Sequence, residues 1–308
     1  MAEFRLNNIT REQILIVESR SKRPKDFKSA ETAEKVKYKD NCPFCVGNED
    51  NTPPEIFRLG SPWEVRVVEN KFPILDREGD ITGYHYVLIE TADHSKGFHE
   101  MDEEEIFKVF KSYVEVCKKL YEKDDVKYVQ VFKNYKKEAG ASLEHPHSQI
   151  IAIKKMPDKI NNKIRKYREL YFKNSRCLMC KTIEEELQYK ERVVYHDEDF
   201  IIYCPFASIF PYEMAIAPIK HKSSILNLCD DDIRKFSGSV LKAIFKLNQN
   251  IGDVPYNMYL DFIKNENNYY HYEVRLCPRL SINAGFEIAT GLYTNIVSPE
   301  TAAKILRD

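Results

Sequence analysis

The chain lacks a net field of either sign. Its 47 lysines and arginines stand against 48 aspartates and glutamates, a formal charge of −1, so no global potential draws it to nucleic acid or an anionic membrane. It also lacks a long apolar run. The most apolar window, "FIIYCPFASIFPYEMAIAP", contains three prolines and a glutamate and reads as strand–turn–strand rather than a membrane span. The opening "MAEFRLNNITREQ" has no apolar stretch of the secretory kind. A cytoplasmic protein with reduced thiols is therefore expected. Linkers and low-complexity tracts are missing too. The charged segment "KKMPDKINNKIRKYRELYFKNSR" has helical spacing of Ile, Tyr and Leu and reads as a solvated connecting helix.

What is present is an ordinary globular composition, 43% hydrophobic and 31% charged over 308 residues. That length suits two domains better than one. Four of the eight cysteines form two pairs, "CPFC" (Cys42, Cys45) and "CLMC" (Cys177, Cys180). Random placement would give about 0.2 such pairs, so the excess is real. Cys117, Cys204, Cys229 and Cys277 read as small buried hydrophobes.

The chain also repeats itself. At an offset of 127, "YVLIETADHSKGFHEMDEEEI" aligns with "EMAIAPIKHKSSILNLCDDDI". Strand matches strand, His94 matches His221, and Glu103-Glu104-Glu105 matches Asp230-Asp231-Asp232. Acidic triplets suit a helix N-terminus, where they face the positive dipole end. The strands "KYVQVFKN" and "YNMYLDFIKN" follow, both ending in Lys-Asn, and then a histidine-bearing strand in each half. The fold class expected is α+β: two tandem units, residues 1–155 and 156–308, each an antiparallel sheet backed by helices.

Each half carries Cys-x-x-Cys, then a histidine, then another: Cys42, Cys45, His94 and His145 in the first, Cys177, Cys180, His221 and His271 in the second. Two thiolates and two imidazoles meet the tetrahedral N/S demand of zinc, and four protein ligands make a closed, structural site. A redox pair would open a helix in a thioredoxin-like pattern, and neither pair is expected to do so. By ligand type alone the second set also accommodates iron.

In "EHPHSQII" (Glu144 to Ile151) residues two apart share a strand face. If His145 is a metal ligand, His147 is a free imidazole held beside it, able to attack phosphorus and carry the group covalently. Gln149 lies on the same face. The second repeat has Glu273 and Arg275 at these two places, so one copy reads as reactive and the other as scaffold.

"EHPHSQII", with "ESRSKRP", "VVENKFP", "ADHSKGF" and the tail "GFEIATGLYTNIVSPE", resembles the galactose-1-phosphate uridylyltransferase branch of the histidine-triad superfamily. The resemblance runs through most of the chain. It implies two histidine-triad-like domains and ping-pong transfer of a nucleoside monophosphate between a nucleotide sugar and a sugar 1-phosphate or phosphate. It further implies His147 as nucleophile, with Gln149 supporting the transferred group and Ser142 touching phosphates. Asn70, Asn134, Arg20 and Arg23 correspond to nucleotide contacts, and Glu287 to the sugar end. A homodimer is the family's usual state. Ser148 stands where many uridylyltransferases have glycine, as in relatives that are ADP-glucose phosphorylases, which also carry a second CxxC. Uridylyl transfer is the first expectation and adenylyl transfer from ADP-glucose the alternative. Gln149 in place of a third histidine disfavours hydrolysis. A zinc-stabilised nucleotide-binding protein without catalysis is the non-enzymatic alternative. Nucleic acid and membrane are not expected partners.

Overall fold

Both acidic triplets open long helices. In the first, α1 (Glu103–Tyr121), the Asp102 carboxylate accepts from the Glu104 and Glu105 amides, and Glu105 reaches back to the Asp102 amide. This reciprocal cap satisfies donors that a helix start leaves open. The second, α4 (Asp230–Ile251), begins 127 residues later with its own acidic first turn. Each buries an apolar stripe, and the two meet through Phe110 and Phe236, whose ring centroids lie 5.0 Å apart.

The computed structural model describes residues 3–19, 36–75, 78–79 and 81–308. The first half supplies β3 (Glu55–Leu59), β4 (Val65–Glu69), β5 (Gly83–Ile89), β6 (Tyr128–Tyr135) and β7 (His147–Ile153). The second supplies β8 (Val193–His196), β9 (Phe200–Tyr203), β10 (Met214–Pro218), β11 (Tyr256–Asp261) and β12 (Glu273–Pro278). They form one ten-stranded sheet in the order β3-β4-β5-β7-β6-β11-β12-β10-β9-β8. The two expected sheets are thus joined edge to edge through antiparallel β6 and β11. This pairing covers two edges that would otherwise expose unpaired backbone groups. One continuous apolar core lies between the sheet and α1 with α4. Helices α2 (Asp158–Asn174) and α3 (Leu178–Tyr189) follow β7, and α2 is the largely solvated connector expected, with Tyr167 its buried residue. A hairpin of β1 (Glu3–Leu6) and β2 (Gln13–Ile16) pairs with β13 (Leu292–Asn295), which lies between α5 (Gly285–Thr290) and α6 (Pro299–Arg307). This hairpin is therefore tied to β13, and Arg5 bonds Glu300 of α6.

Register refines the repeat. The row Val87–Gln149–Phe132 continues across the junction as Tyr259–Arg275–Ala215, so Gln149 corresponds to Arg275 and Val87 to Ala215. The offset is 128 within this strand, not 127. Parity agrees, since Leu88 and Ile216 both face the helices, and a one-residue slip would put them on opposite faces. The shared Lys-Asn ending is a coincidence of composition. Lys133 and Asn134 correspond to Leu260 and Asp261, while Lys264 and Asn265 lie beyond β11. Cys117, Cys204 and Cys277 are buried as expected, but Cys229 is exposed at the N-cap of α4, where it replaces the usual polar cap.

Among the described residues, no helix is long and apolar enough to cross a membrane.

Candidate active site and metal centres

The sheet face away from α1 and α4 carries the two Cys/His clusters. Cys42, Cys45, His94 and His145 converge there, as do Cys177, Cys180, His221 and His271, each set with its ligand atoms within 4.8 Å of one another. In the first set the sulfur-to-Nδ1 distances are 3.4, 3.6 and 3.7 Å. In the second they are 3.2 and 3.6 Å. A tetrahedral ion with ordinary Zn–S and Zn–N bonds would place sulfur and nitrogen about 3.6 Å apart. The outer nitrogens agree. His145 Nε2 lies 2.8 Å from the Thr91 carbonyl, His271 Nε2 2.8 Å from that of Pro218, and His221 Nε2 2.7 Å from that of Asn267. Each Nε2–H is thereby used, leaving Nδ1 as the ligand atom. Burial holds His145 as a neutral imidazole, down to about 4, and lowers His94 likewise. Burial also pushes the Cys42 thiol up, so a thiolate there needs a cation beside it. In the second set, Cys180 and then the two imidazoles draw the Cys177 thiol well below its usual range. Both donor sets fit a metal ion.

One expectation fails. Cys177 is the N-cap of α3 and Cys180 lies in its first turn, so the second pair does open a helix. Met179 and Ile183, both buried, carry that helix's inward face. The two imidazoles at the thiols distinguish the arrangement from a redox pair.

His147 begins β7, and His145 sits in the bend before it. Phe44 contacts both rings from the knuckle of the first cysteine pair, with centroids 6.0 and 5.6 Å away. His147 Nδ1 lies 2.8 Å from the His145 carbonyl. A carbonyl only accepts, so Nδ1 carries the hydrogen and Nε2 keeps its lone pair. Burial is the main force holding this imidazole below its ordinary pKa. The result is a neutral, oriented ring, the form in which an imidazole is nucleophilic.

Gln149 follows on the same face and is half-buried. It is linked to His85, a residue the sequence reading missed: His85 Nε2 lies 2.8 Å from Gln149 Oε1 and 3.1 Å from Asn70 Nδ2. The alternation in β5 could have found it, since His85 shares a face with Val87 and Ile89, both packed at the first metal cluster. Asn134 stands two residues beyond Phe132 on this same face. It accepts from Asn257 and approaches the Gly140 carbonyl, which anchors the loop before Ser142. Gly140 has φ +92°, a conformation that favours glycine, and leads the chain toward the exposed Ser142. Glu287 is engaged by the Ala284 amide and Thr294; it is held by α5 and β13, not by the His147 strand. Arg20 and Arg23 lie outside the described residues.

A second unpredicted group lies on the opposite face, directly behind β7. The Lys133 ammonium meets Glu90 at 2.5 Å, and Ser148 and Tyr113 both bond to that carboxylate. All four are buried. Lys133 Nζ also approaches the His147 carbonyl at 3.5 Å. Ser148 therefore points into the core side and away from the His147 face. Its counterpart Val274, with Leu260 for Lys133 and Val240 for Tyr113, makes this region apolar in the second half.

On the reactive face the second half is closed by ion pairs. Arg275 bonds Glu273 and Glu213, each at 3.0 Å, and Lys163 bonds Asp261. A cavity of about 700 Å³ lies over these groups. His147 does not line it, and Lys163 and Arg275 in it are already paired with carboxylates.

A duplicated α+β sheet with one oriented, neutral histidine and two Cys/His clusters defines the class. The family model for the galactose-1-phosphate uridyl transferase N-terminal domain matches residues 1–157, and a family described only as a domain of unknown function (DUF4921) matches 81–307. An ADP-glucose phosphorylase from Arabidopsis thaliana is 31% identical, over 99% of this chain and 92% of its own. A galactose-1-phosphate uridylyltransferase from Thermotoga maritima is 30% identical, over 100% and 98%. The crystal structure of an ADP-glucose phosphorylase from Arabidopsis thaliana with bound ADP-glucose superposes with a TM-score of 0.88 at 30% identity, covering 100% of this chain and 99% of that one. The chain belongs to the galactose-1-phosphate uridylyltransferase family.

Proposed function

We propose that this protein transfers a nucleoside monophosphate from a nucleotide sugar to a phosphate-bearing acceptor through a covalent intermediate on His147. The observation that carries this reading is the His147 ring itself, with Nδ1–H bound to the His145 carbonyl and Nε2 without a bond among the described residues. Nε2 attacks the α-phosphorus, the sugar 1-phosphate leaves, and the acceptor's oxygen then displaces the imidazole. Gln149 supports the transferred group, and Ser142, Asn70, Asn134, Arg20 and Arg23 bind phosphate and nucleoside. Glu287, held by the Ala284 amide and Thr294, serves the sugar end, and a homodimer is the proposed assembly.

Residues 1–155 carry the chemistry and 156–308 the second metal cluster. Zinc is the proposed ion in both. In the first, Cys42, Cys45, His94 and His145 would hold it with all four of its ligand places, and it would fix His145 and so the carbonyl that orients His147.

ADP-glucose is placed first as donor, because the phosphorylase structure that holds ADP-glucose superposes at a TM-score of 0.88, against 0.78 for a uridylyltransferase structure. UDP-glucose is the second reading, favoured by the relative from Thermotoga maritima. Intact-protein mass after mixing with each donor decides. A gain of one adenylyl group supports the first and one uridylyl group the second. No gain with either donor, under quenching that spares phosphoramidates, removes the proposal.

A further inference from the structure

Gln149 can offer a transferred phosphoryl group either its oxygen or its N–H₂, and only the N–H₂ stabilises the negative charge that develops. The identity of the end presented is decided by a residue behind it. The backbone amide of Ile74 donates to His85 Nδ1 at 3.2 Å. A backbone N–H cannot reverse its polarity, so Nδ1 must hold the lone pair. Burial lowers the His85 pKa below its ordinary value, so the ring is neutral and its one hydrogen sits on Nε2. That Nε2–H faces Gln149 Oε1 at 2.8 Å, and with the oxygen held, the amide nitrogen is turned to the other side.

Asn70 competes for the same nitrogen. Its Oδ1 accepts from the Phe72 amide at 2.8 Å, which leaves Nδ2 as the group 3.1 Å from His85 Nε2. Two donors cannot bond each other, so the ring serves Gln149 and leaves Asn70 Nδ2 as a donor for ligand.

We propose that His85 is a positioning residue that fixes the amide of Gln149 so that its N–H₂ faces the phosphoryl group being transferred. The inference rests on the nucleotidyl-transfer reading above. The same diagonal contact is built into the second half, where Glu213 and Arg275 occupy the places of His85 and Gln149 and are bonded at 3.0 Å. There the pair is ionic and self-satisfying. In the first half it is a neutral relay that leaves two amide hydrogens for a ligand.

A double-mutant cycle tests it, read as the single-turnover rate constant for adduct formation, which a misfolded fraction does not alter. His85→Phe and Gln149→Ala should each slow the wild-type reaction by roughly 10²-fold, with donor affinity changed little. Together they should be no slower than either alone, because His85 acts only through Gln149. His85→Gln, which retains an N–H donor, should recover part of the loss. Losses that multiply in the double variant would overturn the proposal. Independently, nitrogen-15 spectra of the wild-type protein should show His85 protonated on Nε2, and protonation on Nδ1 would overturn it whatever the activity. A wild-type protein that forms no adduct with ADP-glucose or UDP-glucose would defeat the nucleotidyl-transfer reading, and the phosphoryl role of Gln149 with it. An adduct in the wild type with a failed cycle would defeat the role of His85 alone.

Discussion

The two halves share a frame and exchange their polarity. In the first, β7 has polar groups on both faces: His147, Gln149 and His85 in front, and the Lys133–Glu90–Ser148–Tyr113 group behind. In the second, β12 has an apolar back made of Leu260, Val274 and Val240 and a front locked by Glu273, Arg275 and Glu213. The lesson concerns what keeps a site reactive. Burial works to raise the Glu273 carboxyl, yet Arg275 and Lys163 overcome it and hold the group below its ordinary pKa. A carboxylate so engaged has no free charge for a ligand. His147 has one nitrogen tied to a backbone carbonyl and the other without a bond among the described residues, so the first half keeps a neutral lone pair where the second holds its charges in ion pairs.

The sharpest way to break this contrast is His147→Ala. It should abolish adduct formation, a loss of at least about 10⁴-fold, with metal content unchanged. Glu273→Ala at the matching place should leave adduct formation within a few-fold. It should instead destabilise the fold by roughly 3 kcal/mol in urea unfolding, because Arg275 loses a buried partner.

Removing one ligand from each metal set should separate their roles. Cys42→Ser should lose one metal equivalent, several kcal/mol of stability and the adduct, since structural metal binding is coupled to folding. Cys177→Ser should lose the other equivalent and comparable stability while still forming adduct. Elemental analysis beside intact mass would show both. Equal loss of adduct in the two variants would mean that the second half contributes to chemistry directly.

The back of β7 can be rewritten in the image of the second half. Glu90→Leu alone strands a buried ammonium and should cost about 3–5 kcal/mol. Adding Lys133→Leu and Ser148→Val should recover most of it, as apolar replacement of a whole buried pair often does. Urea unfolding would measure both. Failure to recover would show that the group is tied to Tyr113 and the His147 carbonyl more tightly than its counterpart positions suggest.

The smallest effect concerns pH. His85 and His147 have folded pKa values below the unfolded value, so the unfolded chain takes up more protons as the pH falls through about 6.5. Stability is therefore full above that pH and declines below it, by at most about 1.4 kcal/mol per pH unit for each imidazole. His85→Phe should flatten this slope in melting curves between pH 7 and 5. An unchanged slope would place the acid sensitivity at the metal ligands instead.

Much of this was legible in the residues. The Cys-x-x-Cys and histidine spacings named both clusters, the acidic triplets located α1 and α4, and alternation in "HPHSQ" put His147 and Gln149 on one face. Other features were not. Lys133 looked like the partner of Lys264 because composition was matched without register. Cys177 looked like a loop residue because the helical spacing of Met179 and Ile183 beyond it was not weighed. His85 and Glu90 looked like ordinary members of an apolar strand, since their partners lie on strands and helices far along the chain.

The sequence by itself determined what is local: which residues share a face, where helices begin, and which side chains have the chemistry to hold a metal or attack phosphorus. These follow from periods of two and 3.6 residues and from ligand preferences, all readable within short windows. Only the tertiary structure decided that β6 and β11 join two sheets into one, that the N-terminal hairpin belongs beside β13, and that His85 and Glu90 stand at the two faces of the reactive strand. Edge pairing and strand register depend on the packing of whole faces, and shifting one strand by a single residue would exchange its front and its back.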